Sequence, residues 1–140
     1  MDVKKIVNKI IKKYITDDPF KIASNLGIQV DFVPLGLVRG YYTKIRRIKI
    51  IHINNSLTET EQRLVCAHEL GHAIMHPNLS TPFFERNTLF SKSKYETQAN
   101  TFTAELLLND DMLTQLSEYG IYQIAESLGY DKEICKYKVN

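Results

Sequence analysis

Hydrophobic positions follow helical spacing at the start of the chain. Over residues 3–15, apolar side chains recur every three or four positions and lysines occupy most of the others, which predicts an amphipathic helix with a solvated basic face. Asp18 followed by Pro19 is typical of a helix start, and Gly27 is typical of a helix end. Residues 1–27 therefore form a predicted pair of N-terminal helices.

The spacing of hydrophobic positions then changes to that of strands, which predicts a small sheet over residues 28–55. The last connection, Arg46-Arg47, is too short for a parallel crossover, so we expect antiparallel strands. The third strand is the most apolar and is expected at the centre of the sheet. The three predicted strands cover residues 28–32, 37–45 and 48–53.

Helical spacing returns for the rest of the chain. Thr58 and Glu61 form a capping-box pattern at the start of a long helix that ends near His76. The elements predicted after it are a polar and aromatic loop over 78–93, a second long helix over 94–108, two shorter helices over 110–117 and 121–128, and a tail from Tyr130.

Together these elements predict one α+β domain in which a small three-stranded sheet packs on a helical core. A chain of 140 residues has the size of one ordinary domain. The predicted segments are N-terminal helices at 1–27, the sheet at 28–55, the two long helices with their loop at 57–108, and C-terminal helices at 109–140.

Composition narrows the possible functions. Hydrophobic residues make up 44% of the chain and charged residues 24%, which excludes a disordered chain. The formal net charge is only +2, so the chain has no global field for holding a phosphate backbone. We therefore expect no direct binding of nucleic acid.

The sequence also indicates a compartment. No apolar run approaches the ~20 residues that cross a bilayer, and the N-terminus lacks the apolar core and cleavage site of a signal peptide. We expect a cytoplasmic protein with no membrane partner. Cys66 and Cys135 are isolated, and a reducing compartment would keep both as thiols.

A short phrase, I-A-x-x-L-G, occurs at residues 22–27 and again at 124–129. Helix-turn-helix DNA readers use such phrases, but so does any short amphipathic helix that ends at glycine. A transcriptional regulator that reads DNA through these segments is one alternative function, and the near-neutral charge disfavours it.

The chemistry of the chain centres on an H-E-x-x-H pattern inside the first long helix. His68 and His72 are four positions apart, so their side chains lie on one helix face and can bind the same ion. Glu69 would stand beside that ion, where a carboxylate can accept a proton from bound water. This spacing predicts a zinc hydrolase, although manganese or iron could also occupy two imidazoles and a carboxylate.

Such a site needs a third protein ligand, and four residues were candidates. His76 lies ~12 Å along the helix from His68, too far to share an ion with both histidines, and is expected to be a C-terminal histidine favoured by the helix dipole. Nothing in its spacing argues for His52, and Glu85 falls in the predicted loop.

Glu96 is the predicted third ligand because it opens the second long helix. Ala99 lies one turn later and is small enough to let this helix approach the first one closely. Asn100 lies on the same face and is predicted to hydrogen-bond the second nitrogen of a ligand imidazole.

The two motifs together resemble the ImmA/IrrE family of bacterial metallopeptidases. Residues 68–76 read H-E-L-G-H-A-I-M-H and residues 96–108 read E-T-Q-A-N-T-F-T-A-E-L-L-L, and the family pairs H-E-x-x-H with E-x-x-A-N-x-F-A-x-x-L-L-M-P. Thr103 replaces the usual alanine, and Leu108-Asn109 replaces Met-Pro, but neither departure touches the chemistry. The resemblance covers most of the chain and implies a zincin-like helical core.

Carried over residue by residue, the family implies His68, His72 and Glu96 as zinc ligands and Glu69 as the catalytic carboxylate. It also implies cleavage of a helix-turn-helix repressor, which would relieve repression of a phage, mobile element or stress regulon. The alternative is a metal-dependent anti-repressor that sequesters the repressor without cutting it. An intact Glu69 favours the enzyme, because a pure binder needs no general base.

Two further features of a peptidase are left open by the sequence. Oxyanion stabilisation usually needs another donor, and Tyr41, Tyr42, Tyr95 and the strand backbone are all candidates. An edge strand could hold the substrate as an added strand, and residues 37–45 are expected to form it because Gly40 and alternating polar residues suit a less buried position.

Overall fold

A computed structural model of the chain describes residues 1–79 and 91–139, without the side chains of 91–93. The fold is α+β, as predicted, with a three-stranded sheet and six α-helices in this part of the chain. The elements are α1 (Val3–Tyr14), α2 (Pro19–Asn25), β1 (Gln29–Val33), β2 (Gly40–Ile45), β3 (Ile48–Asn54), α3 (Glu59–Met75), α4 (Ser91–Leu107), α5 (Asp110–Gln115), α6 (Ile121–Ser127) and a 3₁₀ helix (Lys132–Tyr137).

Local capping explains where several helices begin. Asp18 accepts a hydrogen bond from the backbone of Phe20, and Pro19 occupies the first position of α2. Thr58 and Glu61 form the predicted reciprocal capping box at the start of α3. The 3₁₀ helix, capped by Asp131, lies where only an irregular tail was expected, because six residues are too few to show a period.

The strand order is β1-β3-β2, which confirms the central position of β3. β2 pairs with β3 antiparallel, as expected, but β1 pairs with β3 parallel, so the prediction of three antiparallel strands was wrong. β1 and β2 run in opposite directions on the two sides of β3. The end of β1 and the start of β2 therefore lie at the same end of the sheet, and residues 34–39 join them there. The side-chain nitrogen of Asn54 donates to the carbonyls of Gly36 and Val38 at 2.9 Å and holds this connection.

Helix α3 lies between the sheet and α4. The buried side chains of Ile51, Ile53 and Tyr42 lie on one face of the sheet, because alternate residues of a strand share a face. On the other side of α3, Gly71 lies against Phe102 of α4, and a Cβ atom at Gly71 would stand 3.1 Å from the Phe102 ring. The glycine thus sets a close separation of the two long helices.

The C-terminal segment is fastened to α4 by a buried ion pair. Glu105 is 1% exposed and accepts hydrogen bonds from the Lys138 ammonium and the Val139 backbone, both at 2.6 Å. Lys4 of α1 lies 3.9 Å from the same carboxylate. The Glu105 carboxylate therefore connects α1, α4 and the C-terminal segment. No helix within residues 1–79 and 91–139 is long and apolar enough to span a membrane.

Candidate metal centre

Helix α3 presents both motif histidines and the intervening glutamate in one place. One ligand atom from each of His68, Glu69 and His72 lies within 4.8 Å of the others. His72 is completely buried and Glu69 is 5% exposed, whereas the side chain of His68 keeps 21% of its surface in contact with solvent. The four-residue spacing produces this convergence, since i and i+4 side chains share a helix face.

Glu96 of α4 reaches both histidines at once. Its two carboxylate oxygens lie 2.9 Å from His68 Nε2 and 2.8 Å from His72 Nε2. The structure therefore brings together the three residues that the sequence predicted as ligands, two from α3 and one from α4. Glu69 Oε2 stands 3.9 Å from His68 Nε2, beside this triangle of ligand atoms.

The protonation of these groups follows from their contacts. Burial alone would raise the pKa of Glu96, but hydrogen bonds and charge from the two imidazoles hold that pKa well below its ordinary range. Burial would lower the pKa of His68, yet the hydrogen bond to Glu96 and the nearby carboxylates raise it. For His72, burial dominates and the pKa is lowered. An ionised carboxylate and a neutral buried imidazole are the forms in which these groups bind a metal.

The donor set fits zinc. Two imidazole nitrogens and a carboxylate oxygen, with an open fourth position, make up a common catalytic zinc site. Around a tetrahedral ion with ligand distances of about 2.0–2.1 Å, neighbouring ligand atoms stand about 3.4 Å apart. The separations of 2.8 and 2.9 Å between each imidazole nitrogen and a carboxylate oxygen of Glu96 are about 0.5–0.6 Å shorter than that spacing.

Asn100 lies beside His68, one turn of α4 after Glu96. Its side chain hydrogen-bonds His68 and contributes to the raised pKa of that imidazole. Asn100 therefore lies beside one predicted ligand imidazole, and Ala99 next to it is completely buried.

His76 lies at the C-terminal end of α3, as predicted, but it is buried there and contacts a predicted ligand. The residue is only 6% exposed, and burial lowers the pKa of its imidazole, so it is not a charged histidine stabilising a helix end. Its Nδ1 lies 3.0 Å from Nδ1 of His72, on the side of that ring away from Glu96, and its Nε2 lies 2.6 Å from Oε1 of Gln98. Sequence reasoning missed Gln98; the i, i+4 spacing of His72 and His76 was the available signal for His76.

The other candidates for ligands and oxyanion donors lie elsewhere. His52 is on β3, where its Nε2 is 3.0 Å from the Thr43 hydroxyl and its ring stacks on Tyr41. Tyr42 donates to the carbonyl of Pro77, and the ring of Tyr95 contacts His76. Glu85 and most of the predicted loop over 78–93 lie outside the described residues.

A cleft of about 670 Å³ opens beside two of the three predicted ligands, His68 and Glu96. Residues 37–40, at the start of the edge strand β2, form one wall, and the 3₁₀ helix contributes Tyr137 and Ile134 to another. Tyr137, unlike the three tyrosines considered from the sequence, lines this cleft together with His68, Glu69 and Glu96. Tyr137 lies on the 3₁₀ helix, which has no recognisable pattern in the sequence.

Comparisons with known proteins agree with this geometry. Residues 23–140 match the peptidase family M78 profile, described as the IrrE N-terminal-like domain. The "Uncharacterized immunity region protein 2" of Bacillus phage phi105 is 42% identical over 141 residues, covering 97% of this chain and 88% of that protein. The "Metallopeptidase ImmA" of Bacillus subtilis (strain 168) is 34% identical over 144 residues, covering 99% of this chain and 84% of that protein. The chain therefore belongs to the ImmA/IrrE family of metallopeptidases.

Proposed function

We propose that this protein is a zinc-dependent endopeptidase that cleaves a helix-turn-helix transcriptional repressor. The observation that carries the proposal is the convergence of His68, His72 and Glu96, with Glu69 beside them. All of these except His72 line an open cleft. The phage relative named for an immunity region, and the relative named ImmA, support a repressor as the substrate.

The residues that would hold zinc are His68, His72 and Glu96. Zinc supplies a Lewis acid that lowers the pKa of a water molecule and polarises the scissile carbonyl. Glu69 follows His68 in the chain and belongs to the same cluster, so it acts as the general base that takes the proton of the attacking water. The same carboxyl then gives that proton to the leaving amine.

The cleft also suggests how a substrate lies. β2 is an edge strand of the sheet in the part of the chain that the structure describes. Residues 37–40, which lead into this strand, border the cleft. An extended peptide can pair with the backbone of such an edge. The segment to be cut therefore has to be extended, so a flexible linker of the repressor is a better substrate than a packed helix.

Cleavage of the repressor by the purified chain is the test. The wild-type protein loaded with zinc is incubated with the repressor encoded beside it, and fragments are identified by mass spectrometry. Glu69→Gln should keep zinc and lose ~10²–10⁴-fold in cleavage rate. Glu59→Gln, the same substitution at an exposed position of the same helix, should cleave like the wild type.

The alternative, an anti-repressor that only sequesters, predicts a different result. The repressor would then bind the wild type and Glu69→Gln equally well and remain intact with both. Binding without fragments over an extended incubation would overturn the peptidase proposal. Cleavage by Glu69→Gln at the wild-type rate would remove Glu69 from the mechanism.

A further inference from the structure

We propose that His76 and Gln98 are positioning residues that orient the His72 ring for metal binding and accept the hydrogen bond of its Nδ1 proton. The inference rests on the proposed function and assigns a role to two residues outside the predicted ligand set. The three side chains form a hydrogen-bonded row, which we call the His72–His76–Gln98 row, running from the metal centre toward the first turns of α4.

The distances in the row are those of ordinary hydrogen bonds. His72 Nδ1 and His76 Nδ1 are 3.0 Å apart, and His76 Nε2 is 2.6 Å from the side-chain oxygen of Gln98. His72 is completely buried and His76 nearly so. The other nitrogen of His72, Nε2, is the one that faces Glu96, at 2.8 Å. The two ends of the His72 ring thus face the predicted metal position and the row.

Proton placement gives the row its direction. A neutral imidazole that offers Nε2 to a metal carries its proton on Nδ1. In the row, His72 Nδ1–H then donates to His76 Nδ1, which leaves the His76 proton on Nε2. That N–H in turn donates to the oxygen of Gln98. Every donor meets an acceptor and no charge is needed.

The reverse arrangement would block the metal position. If His76 Nδ1–H donated to His72 Nδ1, the His72 proton would sit on Nε2, between that nitrogen and Glu96. In that arrangement His72 Nε2–H donates to Glu96 at 2.8 Å, and the Gln98 amide turns its NH2 group toward His76 Nε2. A ring that binds a metal through Nε2 keeps its proton on Nδ1, and the row provides the acceptor for that proton in His76.

The packing around His76 fixes this arrangement. Its backbone N–H closes the last turn of α3 on the carbonyl of His72 at 2.7 Å. The ring of Tyr95 stands edge-on to the His76 ring, with centroids 4.6 Å apart. The row is therefore built from α3 and α4, the same two helices that supply the predicted ligands. Ligating histidines commonly donate to a carboxylate or a carbonyl; here a second imidazole takes that place.

Zinc affinity measured by competition with a chromophoric chelator tests the row in the full chain. His76→Phe keeps the ring volume but removes the acceptor, and should weaken zinc binding ~10–100-fold. His76→Gln restores an oxygen that can accept from His72 Nδ1–H and should recover most of that loss. Gln98→Leu should weaken binding less than His76→Phe, because it removes the hydrogen-bond partner of His76 Nε2 but leaves the His72–His76 contact.

Matched controls separate this effect from general damage. His52→Phe is the same substitution at the histidine outside the site, and Gln115→Leu is the same substitution at an exposed glutamine of α5. Both should bind zinc like the wild type. The proposal would be refuted if His76→Phe bound zinc with wild-type affinity. It would also be refuted if His76→Gln bound zinc no more tightly than His76→Phe.

Nuclear magnetic resonance of the wild-type zinc form gives a second test that needs no variant. With ¹⁵N-labelled histidine, the spectrum should show the proton of His72 on Nδ1 and that of His76 on Nε2. A proton on Nδ1 of His76 would contradict the proposal. If the wild type binds no zinc at all, the proposed function fails; if it binds zinc and His76→Phe changes nothing, only the row fails.

Discussion

Replacement of Gly40 by alanine tests how closely β2 approaches the helix that carries both motif histidines. A Cβ atom at this position would stand 2.4 Å from Cγ1 of Val65 on α3 and 2.7 Å from the carbonyl oxygen of His52 on β3. Ordinary van der Waals contacts begin at 3.4 Å. The added methyl group therefore requires displacements of about 1 Å and about 0.7 Å, respectively, relative to that contact distance.

The cost of these displacements can be worked out from their directions. Val65 is buried and β-branched, so its side chain has few other rotamers. The carbonyl of His52 moves only if the backbone of β3 moves. Overpacking of this kind costs about 1–3 kcal/mol, and the smaller entropy of an unfolded chain with alanine offsets about 0.4–1 kcal/mol of it. Because both a β-branched side chain and a backbone carbonyl have to move, the upper end of the overpacking range applies, about 3 kcal/mol. After the offset we expect Gly40→Ala to lower the free energy of unfolding by about 2 kcal/mol, or roughly 6–8 °C in melting temperature.

Urea and thermal denaturation measure this loss, with Gly120→Ala as the control. A Cβ atom at Gly120 would meet only the side-chain oxygen of Gln123 at 3.9 Å, so that variant should lose less than about 1 kcal/mol. The double variant Gly40→Ala/Val65→Ala should lose less stability than the sum of the two single variants, because Val65→Ala removes the clash with the new Cβ atom. A Gly40→Ala protein as stable as Gly120→Ala would refute the close approach of β2 to α3.

Three other substitutions or reactions follow from the structure. Asn100→Leu removes a hydrogen bond to one ligand imidazole and should keep zinc but weaken its binding ~10-fold in a chelator competition. Lys138→Met removes the close partner of the buried Glu105 carboxylate and leaves only Lys4, 3.9 Å away. Urea titration should show that the free energy of unfolding falls by about 3 kcal/mol, as expected for a broken buried pair. An unchanged urea midpoint would contradict the pairing. Burial raises the pKa of both thiols, Cys66 and Cys135, so iodoacetamide should label the folded chain slowly and the unfolded chain rapidly, while rapid labelling of the folded chain would show that the thiols are accessible.

Most element positions could be predicted from the sequence because they depend on neighbouring residues. The capping box at Thr58 and the glycine after α2 act within one turn of helix, so their effect can be read locally. The direction of β1 could not be read in this way, because it depends on which side of β3 the strand pairs. The 3₁₀ helix was also missed, since its stability comes from buried contacts of Ile134 and Cys135 and from the anchored segment after it.

The same distinction between local sequence and packing applies to the candidate site. The positions of His68 and His72 depend on helix periodicity alone, whereas Glu96 had to be inferred from the small residue and the amide that follow it on α4. His76 lies at the helix end that the sequence predicts, but its burial, which lowers the pKa of its imidazole, is a property of the packed helices and could not be predicted. Gln98 carries no pattern at all in the sequence; only the distance to His76 reveals it.

The most direct test of the account is an anomalous difference map at the zinc edge from crystals of the zinc-loaded chain. We predict one peak per chain, within about 2.0–2.2 Å of Nε2 of His68, Nε2 of His72 and a carboxylate oxygen of Glu96, with Glu69 beside the peak but not bound to it. A peak bound to His76 or to a cysteine, or a zinc ion held by the two histidines without Glu96, would contradict the central claim.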